Sequence, residues 1–170
     1  MDLKTNPGDI VANYYLGLSI LLQEKYGEAL EIFQKVEDDR QNSKLPNKPT
    51  VPDGYQIQIA LAQANLGLKQ DAEAWKNLEA AEKENPNSAD TYVYRGVYYI
   101  HRENLPEAVK QLEEAIRLDK DNPYAFYWAG HAFLRTGNPA RAVEMFKTFL
   151  QLAPYAPEAE KAKVLISALC

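Results

Sequence analysis

The chain has 170 residues, is 46% hydrophobic and 25% charged, and carries 24 acidic against 19 basic side chains for a net charge of −5. Interspersed charge of this sign gives no basic stripe for nucleic acid or a membrane surface, and the longest apolar run, Tyr14 to Leu22, is far too short to cross a bilayer. A single cysteine, Cys170, excludes an internal disulfide and a cysteine-clustered metal site, and leads us to expect a reducing, cytoplasmic compartment.

In chain order, the first helix starts at Asn6-Pro7-Gly8-Asp9 and carries Leu16, Gly17 and Ile20 on one face. A turn near Lys25 to Gly27 leads to a second helix with Ala29, Phe33 and Val36. The polar stretch from Glu37 to Gly54, interrupted by Pro46, Pro49 and Pro52, reads as a loop, placed at 39–54, with Arg40, Lys44 and Lys48 available for contacts. Leu61, Ala62 and Leu66 then mark a helix, and Ala74, Leu78 and Ala81 another, closed by Asn85-Pro86. This pair is the least regular, because Gly67 precedes the place expected for its turn.

Ser88 or Asp90 caps the next helix, which bears Tyr92, Gly96 and Tyr99, and Asn104 caps its partner with Ala108, Leu112, Ala115 and Ile116. From Pro123 to Pro154 the pattern is clearest. Phe126, Ala129, Gly130 and Phe133 line one helix; Asn138 caps the next, Pro139 is its first residue, and Ala142, Phe146, Phe149 and Leu150 form its stripe. In the last helix, 157–169, Ala162, Leu165, Ile166 and Leu169 share a face, as a capping helix with a polar outer side requires.

The small residues Gly17, Ala62, Gly96 and Gly130 follow one another at steps of 45, 34 and 34 residues, so the pairs are copies of one unit. A glycine inside a helix costs about 1 kcal/mol relative to alanine. Close approach of a neighbouring helix is the expected offset.

The pattern resembles the tetratricopeptide repeat, W-x2-L-G-x2-Y, then A-x3-F, then P. The fourth copy matches with Phe126, Ala129, Gly130, Phe133, Ala142, Phe146 and Pro154, and the third with Tyr92, Gly96, Tyr99, Ala108 and Leu112, with Arg95 and Lys120 off pattern. The first has Leu16, Gly17, Ile20, Ala29 and Phe33 but Asn13 and Gln41 in two slots. The second keeps Leu61, Ala62, Ala74, Leu78 and Pro86, with Gln58 and Asn65 in the aromatic slots. The resemblance implies an all-α fold: a right-handed α-α superhelical solenoid, one domain over 1–170, of four helix pairs (about 10–43, 55–88, 89–122 and 123–156) plus the capping helix.

It also implies a non-catalytic scaffold whose first helices line a concave groove for a peptide or helix of a protein partner. Carried over slot by slot, the groove residues are Tyr14, Leu18, Ile59, Gln63, Val93, His101, Tyr124, Tyr127, His131 and Arg135. Leu21, Val97 and Ile100 occupy further slots and are read as packing residues. The set is apolar and aromatic, which suits an apolar or amphipathic partner with tyrosines as anchors. Family members that grip the carboxylate of chaperone tails use lysines, arginines and asparagines where this chain has Tyr14, Leu18, Ala60, Asp90 and Tyr94, so that clamp is absent. Tyr124, Tyr127, His131 and Arg135 do not repeat and are expected to carry specificity.

Two alternatives stand beside this reading. Self-association through the groove or an end is one, with the chain read as a piece of a longer solenoid. An enzyme or metal site built on His101 and His131 with Glu103 or Asp90 is the other. No H-x-x-E, phosphate loop or nucleophile elbow accompanies the histidines, and no cofactor is expected.

Overall fold

The structure, a computed structural model, describes residues 9–42 and 52–170. The described residues form nine helices and no strand: α1 (Ile10–Leu22), α2 (Tyr26–Asn42), α3 (Gly54–Gly67), α4 (Asp71–Glu84), α5 (Ala89–His101), α6 (Leu105–Leu118), α7 (Pro123–Arg135), α8 (Pro139–Leu152) and α9 (Ala159–Leu169). The fold is an all-α helical repeat. Consecutive helices pair as hairpins, α1 with α2 through α7 with α8, and α9 packs on α8. The chain divides into two compact units, Met1–Pro86 and Asn87–Cys170.

In three of the four hairpins the second helix fills the space that a side chain on the first would need. A Cβ built on Gly17 would lie 2.6 Å from the Phe33 ring, one on Gly96 2.5 Å from Leu112, and one on Gly130 2.7 Å from Phe146. Phe33, Leu112 and Phe146 are completely buried, and each contributes roughly 2–3 kcal/mol of apolar burial. That gain offsets the helix-propensity cost of the glycines.

The four hairpin turns share one backbone solution. Glu24, Lys69, Glu103 and Gly137 take φ of 60°, 59°, 58° and 76°, the left-handed conformation that closes a helix C-terminus. The next residue's N–H reaches back to a carbonyl one turn inside: Lys25 to Ile20 at 3.3 Å, Gln70 to Asn65 at 2.8 Å, Asn104 to Tyr99 at 2.9 Å and Asn138 to Phe133 at 2.9 Å. The second pair therefore turns in register with the others, and its irregularity lies elsewhere. Asn138 Oδ1 then caps α8 by accepting from the Arg141 N–H at 3.2 Å.

In unit 1 the core joins Ile10, Ile20, Ala29, Phe33, Val36, Ile57, Ala60 and Leu61. Where α3 has Gln58 and Asn65 in place of aromatic residues, a side-chain chain replaces ring packing. Asn65 donates to Asn77 at 2.9 Å, Asn77 to Gln58 at 2.8 Å, and Gln58 to Glu37 at 3.5 Å. Glu37 is buried and also accepts from Arg40 at 2.8 Å and Gln41 at 2.8 Å. Burial alone would raise its carboxyl, but these hydrogen bonds and the Arg40 charge hold it below the usual range.

Three boundaries differ from the sequence reading. Helix α2 runs on to Asn42, past the expected loop start at 37–39, because Glu37, Arg40 and Gln41 satisfy one another along it. Arg40 is accordingly engaged with Glu37 and Glu84; Lys44 and Lys48 lie outside the described residues. Gly27 sits inside α2, whose first residue is Tyr26, so the turn comes earlier than expected. The last helix begins at Ala159, two residues after position 157.

Unit 2 buries Phe126, Tyr127, Ala129, Ala132, Phe133, Ala142, Phe146 and Phe149 with Ala162 of α9, and Leu165, Ile166 and Leu169 lie against them. The four α9 positions expected to share a face thus pack on α7 and α8, while Val164 is 67% exposed on the far side.

Candidate functional site

In unit 1 the first helices α1 and α3 are neighbours. Tyr14 and Leu18 of α1 and Gln63 of α3 are half-buried. The Tyr14 ring leans on Phe33 at 5.9 Å, with an interplanar angle of 57°, so its base is fixed by the core. Leu18 lies against the same core. Ile59 departs from the expectation: only 6% exposed, it is core, because its helix is covered on several sides. Unit 1 therefore keeps Tyr14, Leu18 and Gln63 of the expected set at the surface.

In unit 2 the expected surface is largely consumed by packing. Val93 is 1% exposed and clusters with Ala115 and Ala125, so it is core, not groove lining. Tyr127 is corrected in the same way. It is 6% exposed, with its ring 5.0 Å from Phe149, 5.3 Å from Trp128 and 4.7 Å from His131. Its ring neighbours belong to its own hairpin, α7 and α8, and the residues in register with it, Ile59 and Val93, are buried as well.

Tyr124 is half-buried and its hydroxyl donates to Glu158 at 3.2 Å, just ahead of α9. Burial, together with the Glu158 charge, pushes its phenol up to about 12. His131 lies among rings, 4.7 Å from Tyr127, 5.2 Å from Phe146 and 5.6 Å from Trp128. Burial and then the Lys161 charge depress its basicity. Arg135 is a strut: it donates to the Ile100 carbonyl at 3.0 Å and meets Glu103 at 3.5 Å.

His101 is exposed at the end of α5. The carboxylates that a metal or acid-base pair would need are committed elsewhere. Asp90 accepts from Asn122 at 2.6 Å, steadying the residue that caps α7, and Glu103 pairs with Arg135. Among the described residues no group of three or more His, Cys, Asp or Glu side chains converges on a metal position, and no helix is long and apolar enough to cross a membrane.

One exposed aromatic residue, Tyr15, escaped the sequence reading. Tyr15 is 64% and Leu22 71% exposed on α1, on the side of Ala12 and Ser19. The residues in register with Tyr15 are Ala60, 2% exposed, and the half-buried Tyr94 and Trp128.

Residues 98–137 match a family model described as TPR repeat, and residues 123–155 one described as tetratricopeptide repeat. The mitochondrial import receptor subunit TOM70 of Rattus norvegicus is 26% identical over 106 residues, which is 62% of this chain and 17% of that protein. The chain thus spans about a sixth of the length of the curated relatives it matches. Among solved structures, TTC0263, a thermophilic TPR protein of Thermus thermophilus, is similar with a TM-score of 0.75 at 20% identity, covering 96% of this chain and 82% of that one. YrrB, a TPR protein with an unusual peptide-binding site, gives 0.57 at 23% identity, covering 94% and 76%. At these identities the structural likenesses speak for the fold alone.

Proposed function

The chain belongs to the tetratricopeptide-repeat family, and from that premise we propose that it is a non-catalytic scaffold holding a peptide or helix of a partner protein against its first helices. The observation that carries this reading is the set Tyr14, Leu18 and Gln63, left half-buried on adjacent first helices of unit 1 after the core is complete. A tyrosine fixed at its base by Phe33 loses little conformational entropy on binding. Beside Leu18 it supplies apolar contact, and Gln63 supplies an amide donor and acceptor. The chemistry fits an apolar or amphipathic segment. TOM70, to which 106 residues of the chain are similar, is an import receptor subunit, and that likeness supports a binding role.

Photo-crosslinking tests the proposal. A benzophenone side chain placed at Tyr14 or Gln63 is expected to capture a defined polypeptide from cell extract, whereas the same group at the exposed Glu31 of α2 is not. Leu18→Ser should weaken the capture by about 1 kcal/mol or more without unfolding the chain. Equal capture from all three positions would sink the proposal.

A further inference from the structure

Two of the four hairpins carry a tyrosine at the same slot of the first helix, and both surround it with the same rings. In the hairpin of α1 and α2 the ring of Tyr14 lies 5.9 Å from Phe33 at 57° and 5.6 Å from Tyr15 at 71°. In that of α7 and α8 the ring of Tyr127 lies 6.1 Å from Phe146 at 64° and 5.3 Å from Trp128 at 78°. These residues correspond one to one in the repeat register. The other two hairpins hold Ile59 and Val93 at the tyrosine slot, Ala60 and Tyr94 after them, and Leu78 and Leu112 where the phenylalanine would stand. Tyrosine and phenylalanine thus enter together, and wherever they do the next residue of the first helix sets a ring edge-on against the tyrosine.

The two clusters differ in their surroundings. Around Tyr127 the rings of Phe149 and His131 close in at 5.0 Å and 4.7 Å, and the tyrosine is core. The corresponding residues of the first hairpin are Val36 and Leu18, which are smaller and aliphatic, and Tyr14 stays half-buried. Phe33, completely buried, holds its ring from beneath. Tyr15, mostly exposed, stands beside it on the same helix. A side chain with that much surface in water adds little to the core, but an edge-on ring contact favours one staggered direction of its neighbour over the others. We infer that Tyr15 is a positioning residue for the groove, holding Tyr14 in the rotamer in which it meets a partner. This role rests on the proposed contact of Tyr14 with a partner, whereas the orientation is measurable on the chain alone.

Couplings from the amide nitrogen and the carbonyl carbon of Tyr14 to its Cγ, measured on full chain labelled with carbon-13 and nitrogen-15, report its χ1 rotamers. One rotamer is expected in the native chain and in Tyr15→Trp, which copies the α7 pair. In Tyr15→Ala the minor rotamers should rise about two- to tenfold, the weight of one aromatic pair, while Phe33 and Tyr127 keep theirs and the melting temperature is unchanged. Averaging of Tyr14 already present in the native chain, or a single rotamer surviving Tyr15→Ala, overturns the inference. So does averaging that spreads to Phe33, which would make Tyr15 a support of the core. Capture by the benzophenone at Gln63 separates orientation from binding. A fall of about two- to tenfold in Tyr15→Ala, restored in Tyr15→Trp, ties one to the other. Unchanged capture beside an averaged Tyr14 overturns the positioning role and the contact of Tyr14 together, whereas a rigid Tyr14 in Tyr15→Ala overturns the positioning role alone.

Discussion

Gly130 has no side chain because Phe146 stands where one would begin, whereas a Cβ on Gly27 would meet nothing within 4 Å. Opposite outcomes follow for the two glycines. Gly130→Leu should overpack the α7–α8 contact and cost about 1–3 kcal/mol, while Gly27→Ala, in the first turn of α2, should add about 0.4–1 kcal/mol by stiffening the unfolded chain and favouring helix. Urea denaturation of both variants checks this, and a stable Gly130→Leu would contradict the packing role. The role of Gly130 was legible because its slot recurs at 34-residue steps. The role of Gly27 was not: glycine suggested a turn, yet the left-handed residue is Glu24, and only Gly137 among the four turn positions is written as glycine.

At the scale of the element, α9 decides what the aromatic residues of α7 do. Periodicity identifies the faces of α7, but it does not say which neighbour covers a face whose partner lies beyond the repeat. Tyr124 and His131 change from copy to copy, and their neighbours beyond α7, Glu158 and Lys161, lie outside the four helix pairs; Tyr127 instead shares its register position with Tyr14, Ile59 and Val93, of which Ile59 and Val93 are buried as it is. Tyr127→Ala is therefore expected to destabilise unit 2 by about 3–5 kcal/mol, as aromatic-to-alanine core changes do, with faster hydrogen exchange in α7 and α9. A variant that keeps wild-type exchange in α9 would return Tyr127 to the surface role first expected of it. The polar chain from Glu37 through Gln58 and Asn77 to Asn65 was equally illegible. Sequence spacing shows that aromatic slots are vacant, not that amides from three helices meet there.

For the whole chain, the two units answer acid differently. Folding depresses His131 below its ordinary value of 6.5 through burial, then Lys161. The unfolded chain then binds a proton that the folded chain refuses, so this contribution is complete above pH 6.5 and is lost as pH falls below it. Glu37 in unit 1 is held below its ordinary 4.5, and its contribution fades only as pH drops under that value. Hydrogen exchange measured from about pH 7 downward should show α7 and α9 losing protection before α2 and α3, and His131→Leu should flatten the first phase. Earlier loss in α2 and α3 would contradict the assignment. The division at Pro86 and Asn87 is silent in the sequence, because the 34-residue period passes through it unchanged. The opposed pairs Gly17 with Phe33, Gly96 with Leu112 and Gly130 with Phe146 also bear on how the chain folds. Each closes at the same sequence separation, and loop-closure entropy depends only on the logarithm of that length. No hairpin begins with an entropic lead. The order in which these hairpins close is then left to how each packs against its neighbours, not to the length of chain each must gather in.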